Sequence, residues 1–228
     1  MVQSTYLLVH GAWHGSWCWR DLGLEFDRRG VSWRAVDLPS ARPGGDPKSN
    51  LVTDAAVVAS AGQLDGPVIL VGHSYGGAVI CQAAPLISNL ERMIFVAALV
   101  PRFGESATDA SREVKVRTEL DEALEVNGDY LQLKKERAVA ALYQDCNSEI
   151  QSWSLSQLSS QTLASFRSVR NAPDVTVSTH YVLCREDRAL HPSLQERMAL
   201  RADEVMFIES GHSPFLSHPK ELADLLTI

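Results

Sequence analysis

Short, nearly continuous apolar runs recur along the chain and restrict its fold more than any other feature. They cover residues 6–9, 33–38, 68–71, 93–100, 181–184 and 205–208. A run without alternation is typical of a strand that is buried on both faces, as in a parallel sheet. Segments with helical content separate the runs, at residues 19–29, 51–64, 76–90, 192–200 and 219–226. Strands that alternate with helices predict an α/β fold with a mostly parallel, doubly wound sheet of about six strands.

One interval is longer than a connection between neighbouring strands requires. About eighty residues separate the fourth run from the fifth, whereas most connections in compact domains are far shorter. Four parts of this interval have helical content, at residues 111–125, 134–143, 149–158 and 162–170. The length of 228 residues suits one well-buried core. We therefore expect a single domain over residues 1–228, with a helical cap inserted at about 102–170.

Charge and composition disfavour several classes of partner. The net charge of −7, without a basic cluster, argues against binding to nucleic acid or to an anionic membrane. No stretch reaches the ~18 consecutive apolar residues of a membrane helix, and the N-terminal sequence lacks the basic region of a signal peptide. A cytoplasmic protein, either a monomer or a homodimer, is the expectation. The four cysteines lack metal-ligand or redox spacing, so we predict that they pack as small apolar residues. No H-E-x-x-H pattern or other ligand cluster is present in the sequence, so no metal site is expected.

The sequence GHSYGG, residues 72–77, directly follows the third apolar run. Its first five residues fit the pattern G-x-S-x-G between a strand and a helix, which is the setting of a nucleophile elbow. In such a turn the serine is exposed at the carboxyl edge of the sheet, where open α/β folds bind their ligands. Ser74 is thus the candidate nucleophile. The alternative is a tight glycine-rich turn whose serine only caps a helix.

A serine nucleophile needs a base, and the base needs an acid that orients it. His212 follows the last strand and Asp187 follows the strand before it, so both are expected at the same sheet edge as Ser74. Their chain order, Ser, Asp, His, is the order of α/β-hydrolases. Glu186 is the competing acid. The remaining histidines are interpreted as structural, surface or capping residues.

Two backbone N–H groups are candidates for an oxyanion hole. Tyr75 directly follows the candidate nucleophile and begins a helix, where the helix dipole favours negative charge. The second donor is expected in the sequence HGAW after the first strand, where Gly11 permits close approach and Ala12 supplies an N–H. We predict that these two donors face one oxygen of the substrate.

Four motifs together resemble the α/β-hydrolase superfamily. They read LLVHGAWHGSWCW, VGHSYGG, CREDRALHP and SGHSPFLSHP. The chain is most similar to the branch that contains plant methyl esterases, hydroxynitrile lyases and bacterial esterases. The resemblance implies a triad of Ser74, Asp187 and His212, oxyanion donors at Ala12 and Tyr75, and esterase chemistry without a cofactor.

The resemblance also leaves alternatives open, because one fold can serve many functions. A serine hydrolase that acts on a carboxylic ester is the main hypothesis, with thioester, amide or lactone substrates as variants of it. Hydroxynitrile lyases of this branch have a lysine after the catalytic histidine and a threonine in the HG position, whereas this chain has Ser213 and Gly11 there. A non-catalytic receptor for a small ligand is the third possibility.

Aromatic residues near the expected sheet edge and in the cap are candidates for the substrate pocket. They are Trp13, Phe103, Tyr143 and Trp153. Pockets for small molecules are mostly lined by apolar and aromatic side chains. These residues predict a small, uncharged, partly apolar ester as the substrate.

Overall fold

The computed structural model of the chain describes residues 3–228. In chain order, the strands are β1 Thr5–Val9, β2 Ser32–Val36, β3 Val68–His73, β4 Leu90–Val96, β5 Leu124–Asn127, β6 Tyr130–Leu133, β7 Gln161–Thr162, β8 Ser178–Cys184 and β9 Glu204–Ile208. The helices are α1 Arg20–Arg28, α2 Leu51–Ala61, α3 Tyr75–Ala83, α4 Ala107–Ser111, α5 Glu119–Ala123, α6 Lys135–Leu142, α7 Ser148–Gln157, α8 Leu163–Arg167, α9 Pro192–Ala199, α10 Pro214–Ser217 and α11 Pro219–Leu226. Within the described residues, none of these helices is both long and apolar enough to cross a membrane.

The central sheet has six strands in the order β2-β1-β3-β4-β8-β9. Every neighbouring pair in it is parallel. The predicted fold class is therefore confirmed. Because all the strands run the same way, their carboxyl ends meet at one edge, and the loops after β1, β3, β8 and β9 gather there.

The first strand shows why the apolar runs do not alternate. Leu7 and Val9 pack into one core cluster, together with residues from α2, α3 and α9. Tyr6 and Leu8 pack into a second cluster on the other face of the sheet, with residues from α1, α10 and α11. Since successive side chains of a strand point to opposite faces, a sheet covered by helices on both sides requires apolar residues at every position.

Two predicted elements near the centre of the chain are too long. The helix expected at 76–90 ends early, and Pro85, which cannot donate a backbone hydrogen bond, lies in the short 3₁₀ turn that follows. The chain then enters β4 at Leu90. The strand expected at 93–100 also ends early, because Ala97 adopts a positive φ of 42° that no strand accommodates.

The segment between β4 and β8, residues 97–177, is called the insertion below. It is not purely helical, because β5, β6 and β7 form a small antiparallel sheet within it. The predicted helix at 111–125 is wrong: α5 begins only after Thr118, whose hydroxyl accepts a bond from the N–H of Asp121. At Leu124 the chain turns into β5. The other three predicted helices of the insertion are present as α6, α7 and α8.

All four cysteines are buried as free thiols, in line with the predicted packing role. Burial disfavours the thiolate and raises the pKa of Cys81 and of Cys146 to about 12. None of these thiols is therefore poised as a nucleophile, since the thiolate is the reactive form.

Candidate active site

Ser74 lies at the sharp turn between β3 and α3. Its backbone adopts φ 51° and ψ −120°, and holding a non-glycine residue in such a conformation costs about 1–3 kcal/mol. The turn leaves no space for a side chain at Gly72 or at Gly76. A Cβ atom on Gly72 would lie 2.7 Å from the carbonyl oxygen of Gly76, and one on Gly76 would lie 2.7 Å from that of His10. The glycines of GHSYGG thus permit a turn that presents the serine at the carboxyl edge of the sheet.

Asp187 and His212, which follow β8 and β9, form a buried pair. Nδ1 of His212 lies 2.7 Å from Oδ2 of Asp187. The same carboxylate accepts bonds from the N–H groups of Ala189 and Leu190, at 2.7 and 2.8 Å, and from Nε2 of Gln195 at 2.9 Å. Four donors therefore fix the carboxylate. A proton on Nδ1 of His212 leaves its Nε2 free to accept one.

Glu186, the competing acid, is placed differently. Its side chain is exposed, whereas Asp187 is buried. Its main-chain N–H donates to the carbonyl of Ser210, and no hydrogen bond joins its carboxylate to His212 within residues 3–228. The geometry brings Asp187, not Glu186, to the histidine.

Ser74 and His212 line one cavity of about 660 Å³ beneath the insertion. Its apolar wall residues are Trp13, Leu99, Val114, Val116, Leu120, Leu124, Val126, Leu131, Leu163, Phe166, Ala189, Leu190 and Leu194. Among the described residues, the Ser74 hydroxyl has no hydrogen bond to His212. Catalytic bonds of this kind are often long before a substrate is bound. The cavity is large enough for a small organic molecule.

The N–H groups of the two candidate oxyanion donors make no backbone hydrogen bond within residues 3–228. Tyr75 is the first residue of α3, so its N–H has no acceptor within the helix. The N–H of Ala12 makes no hydrogen bond to any residue in 3–228, although Ala12 is buried. A Cβ on the preceding Gly11 would lie 2.9 Å from Cβ of Ser74, so this loop lies directly against the nucleophile.

Two further histidines, His10 and His14, are buried behind the site, and their hydrogen bonds suit the neutral ring. His10 donates from Nδ1 to the carbonyl of Gly11 and accepts at Nε2 from the N–H of Leu38. His14 donates from Nδ1 to the carbonyl of Ala12 and accepts at Nε2 from the Tyr143 hydroxyl. Burial lowers the pKa of His10 to about 4 and that of His14 to about 3. Their role is structural, as the sequence predicted.

These neutral histidines should make the fold sensitive to acid. Below the ~6.5 pKa of a free histidine the unfolded chain binds protons at these positions, while the folded protein does not until its own lower pKa values are reached. The stabilisation that these neutral histidines provide is therefore fully present above pH 6.5, and it is lost as the pH falls below that value. We expect a loss of about 2 kcal/mol per histidine between pH 7 and pH 5, measured by urea unfolding.

The control for this pH effect is His14→Gln, which keeps one donor and one acceptor but cannot titrate. Its free energy of unfolding should depend less steeply on pH than that of the wild type. An equally steep dependence in the two proteins would contradict the role assigned to His14.

Of the four predicted wall residues, only Trp13 lines the cavity. Phe103 is 64% exposed on the surface. Tyr143 is fully buried, and its hydroxyl lies 2.7 Å from Nε2 of His14. Trp153 packs against Trp17, with the Arg20 guanidinium 4.1 Å above its ring. Aromatic character alone could not separate these environments.

Most residues of the cavity wall were not predicted from the sequence. Leu163 and Phe166 lie one turn apart on α8, and both face the cavity. The ring of Phe166 also stacks on that of Tyr75, with centroids 5.1 Å apart. Their spacing of three positions indicates that they share one face of a helix, but the sequence does not show which surface that face contacts.

Within residues 3–228, no group of three or more His, Cys, Asp or Glu side chains is arranged to hold a metal ion. Asp187 and His191 have a spacing that could have shared a ligand face. Instead, the Asp187 carboxylate is occupied by its four donors, and His191 caps α9 by accepting the N–H of Ser193.

The family model described as alpha/beta hydrolase family matches residues 6–225. Norfluorocurarine synthase 2 from Strychnos sp is 30% identical to the chain, over 98% of the chain and 94% of that protein. Methylesterase 7 from Arabidopsis thaliana is 29% identical, over 98% of the chain and 95% of that protein.

The crystal structure of a pyrethroid hydrolase from Sphingobium faniae JZ-2 is similar in fold. It superimposes with a TM-score of 0.84 and covers 99% of this chain and 96% of its own. The sequence identity is 20%, so this likeness extends to the fold alone.

Proposed function

The chain belongs to the alpha/beta hydrolase family, and from that premise we propose that it is a carboxylic ester hydrolase with the triad Ser74, His212 and Asp187. The observation that carries the proposal is the buried 2.7 Å bond between His212 and Asp187, formed in the cavity that Ser74 also lines. Methylesterase 7, a similar protein that is named for ester cleavage, supports it.

The reaction follows from the roles that the geometry allows. Nε2 of His212 takes the proton of the Ser74 hydroxyl while the oxygen attacks the ester carbonyl carbon. The tetrahedral intermediate collapses, the bond to the alcohol oxygen breaks, and His212 returns the proton to that oxygen. Water then attacks the acyl-enzyme with His212 as base again, which releases the carboxylic acid and restores Ser74. Asp187 stabilises the imidazolium that forms in each half-reaction.

The N–H groups of Ala12 and Tyr75 are proposed to hold the oxyanion of both intermediates. Each is free of other hydrogen bonds in the described part of the chain, and each adjoins Ser74. Fixed donors that face developing charge need no reorganisation during the reaction, and this is often the largest contribution to catalysis.

The proposed substrate is a small, partly apolar ester whose reacting part is uncharged. Buried cavity residues support this, among them Leu99, Leu131 and Leu190. The cations that line the cavity, Arg112, Lys115 and Arg167, are exposed and belong to its solvent side.

A panel of p-nitrophenyl and methyl esters with increasing acyl length tests this function. We expect a burst of p-nitrophenol equal to the enzyme concentration whenever hydrolysis of the acyl-enzyme is the slower step. A protein that binds such esters without any turnover would instead be a receptor, and the proposal would be wrong.

The residues at two positions favour hydrolysis over hydroxynitrile lyase chemistry. Ser213, where those lyases carry a lysine, is fully buried and uncharged. Gly11 takes the place of their threonine, and any Cβ there would lie 2.9 Å from Cβ of Ser74. Without the cation, a departing cyanide lacks electrostatic stabilisation, whereas ester hydrolysis needs only the oxyanion donors and water.

We therefore expect measurable hydrolysis of simple esters and no release of cyanide from mandelonitrile above background. Cyanide release that disappears in Ser74→Ala, without any ester turnover by the wild type, would reverse the assignment.

A further inference from the structure

Trp13, directly after the proposed donor Ala12, holds a strained backbone conformation. Its φ is +63°, which is uncommon for a residue with a large side chain and persists only where the surroundings enforce it. Hydrogen bonds to three residues do so. The Trp13 N–H donates to Oε1 of Gln161 at 3.4 Å, its carbonyl accepts from the N–H of Ser159 at 2.9 Å, and its indole N–H donates to the carbonyl of Leu131 at 3.0 Å.

All three partners of Trp13 belong to the insertion. The loop that carries Ala12 follows β1 in the central sheet, yet the bonds that hold its strained residue come from β6, β7 and the segment before β7. The conformation of the loop therefore depends on the insertion being docked.

Gln161 connects this loop to a buried carboxylate. It is fully buried, and its side-chain amide donates to Oγ of Ser40 at 2.8 Å and to Oγ of Ser165 at 2.6 Å. Ser40 in turn donates from its backbone N–H and from its hydroxyl to the two carboxylate oxygens of Asp54.

Asp54 connects the network to the second proposed donor. It lies on α2 and is fully buried, and burial raises its pKa. The hydroxyl of Tyr75 donates to its Oδ2 at 2.7 Å. Tyr75 is the residue whose N–H begins α3 beside Ser74. One continuous chain of buried hydrogen bonds thus runs from Trp13 through Gln161, Ser40 and Asp54 to Tyr75.

We propose that Gln161 and Asp54 are positioning residues that set the spacing of the two oxyanion donors, so that docking of the insertion completes the oxyanion hole. This inference rests on the proposed function. Neither side chain is proposed to touch the substrate: Gln161 acts on Ala12 through Trp13, and Asp54 acts on the start of α3 through the Tyr75 hydroxyl. Their contribution belongs to the tetrahedral states and not to the binding of the ester.

The test compares Gln161→Ala and Tyr75→Phe with the wild type. Loss of a whole oxyanion donor lowers kcat by about 10²–10³-fold, so misplacement of one should lower it by about 10- to 100-fold with KM changed less than threefold. Tyr75→Phe removes one hydroxyl and keeps the ring, so it tests the network even if Gln161→Ala fails to fold. Circular dichroism and thermal melting establish that each variant is folded.

Phenylboronic acid provides a readout that a purely structural role would not change. It adds to a serine oxygen to give a tetrahedral adduct, in which an oxygen on boron occupies the oxyanion position. Its Kd should rise by about the same factor as kcat falls, while inhibition by the planar product carboxylate stays within threefold. The matched control is Gln151→Ala, since Gln151 also lies in the insertion and donates to the carbonyls of Tyr143 and Cys146, but does not contact Trp13.

The outcomes separate this inference from the proposed function. Turnover that depends on Ser74, with kcat and boronate affinity in the folded variants within twofold of the wild type, would reject the positioning role alone. A loss that appears only in KM would reject it as well. Ester turnover that persists in Ser74→Ala would reject the esterase mechanism itself.

Discussion

Ser74→Ala is expected to lower kcat for ester hydrolysis by about 10⁶-fold, about as much as removal of the whole triad would. The alanine keeps the backbone of the elbow but removes the oxygen that forms the acyl-enzyme. His212 then has no proton to accept, and the reaction falls back on whatever assistance the oxyanion donors give to direct attack by water. Steady-state turnover of a p-nitrophenyl ester, with the burst amplitude, measures the loss.

Ser168→Ala is the matched control for this substitution. Ser168 is half-buried at the end of α8, and its hydroxyl donates to the carbonyl of Ala164, outside the proposed machinery. Its kcat should stay within twofold of the wild type. If Ser74→Ala loses less than tenfold while the protein remains folded, the serine is not the nucleophile.

Asp187→Asn should lower kcat by roughly 10⁴-fold, because an amide favours the wrong tautomer of the catalytic histidine. In the wild type, every group around the carboxylate is a donor: His212, Gln195 and the N–H groups of Ala189 and Leu190. The asparagine NH₂ can only face one of these donors or turn toward Nδ1 of His212. In the second case it donates to Nδ1 and moves the ring proton to Nε2, where it blocks proton transfer from Ser74.

Glu186→Gln is the matched comparison for the acid, one position earlier in the chain. Its side chain is exposed, so both activity and stability should remain close to those of the wild type. A large loss in Glu186→Gln, with little effect of Asp187→Asn, would move the acid to Glu186.

The sheet could be predicted from the sequence because each strand carries its own signal. Tyr6, Leu7, Leu8 and Val9 serve two cores at once, and this requirement is visible in the run itself. The signal for the elbow is equally local, since Gly72 and Gly76 each lie two positions from Ser74. The meeting of Asp187 with His212 followed from parallel strands, whose carboxyl ends share one edge.

Much of the insertion could not be predicted from the sequence, because its structure depends on contacts between distant parts of the chain. The pairing of β5 with β6 is an exception, because only Gly128 and Asp129 separate the two strands. Asn-Gly between two alternating runs is a local hairpin signal, and Gly128 adopts a positive φ of 58°, so this hairpin was missed although the sequence indicates it. Nothing near Gln161 or Asp54 in the sequence indicates that they are linked through Ser40. Phe103 and Tyr143 are both aromatic, yet one is exposed and the other fully buried, and the sequence contains no sign of that difference.

The hydrogen bonds of Trp13 also bear on how enzymes of this shape can be re-engineered. The insertion supplies most of the cavity wall, so exchanging it for that of a relative is the obvious way to change which esters are accepted. The same exchange replaces the groups that hold Trp13 in its strained conformation. A transplanted segment must therefore provide a hydrogen-bond acceptor at the position of Gln161 and a donor at that of Ser159. Otherwise the chimera would accept new esters but hydrolyse them with a lower kcat.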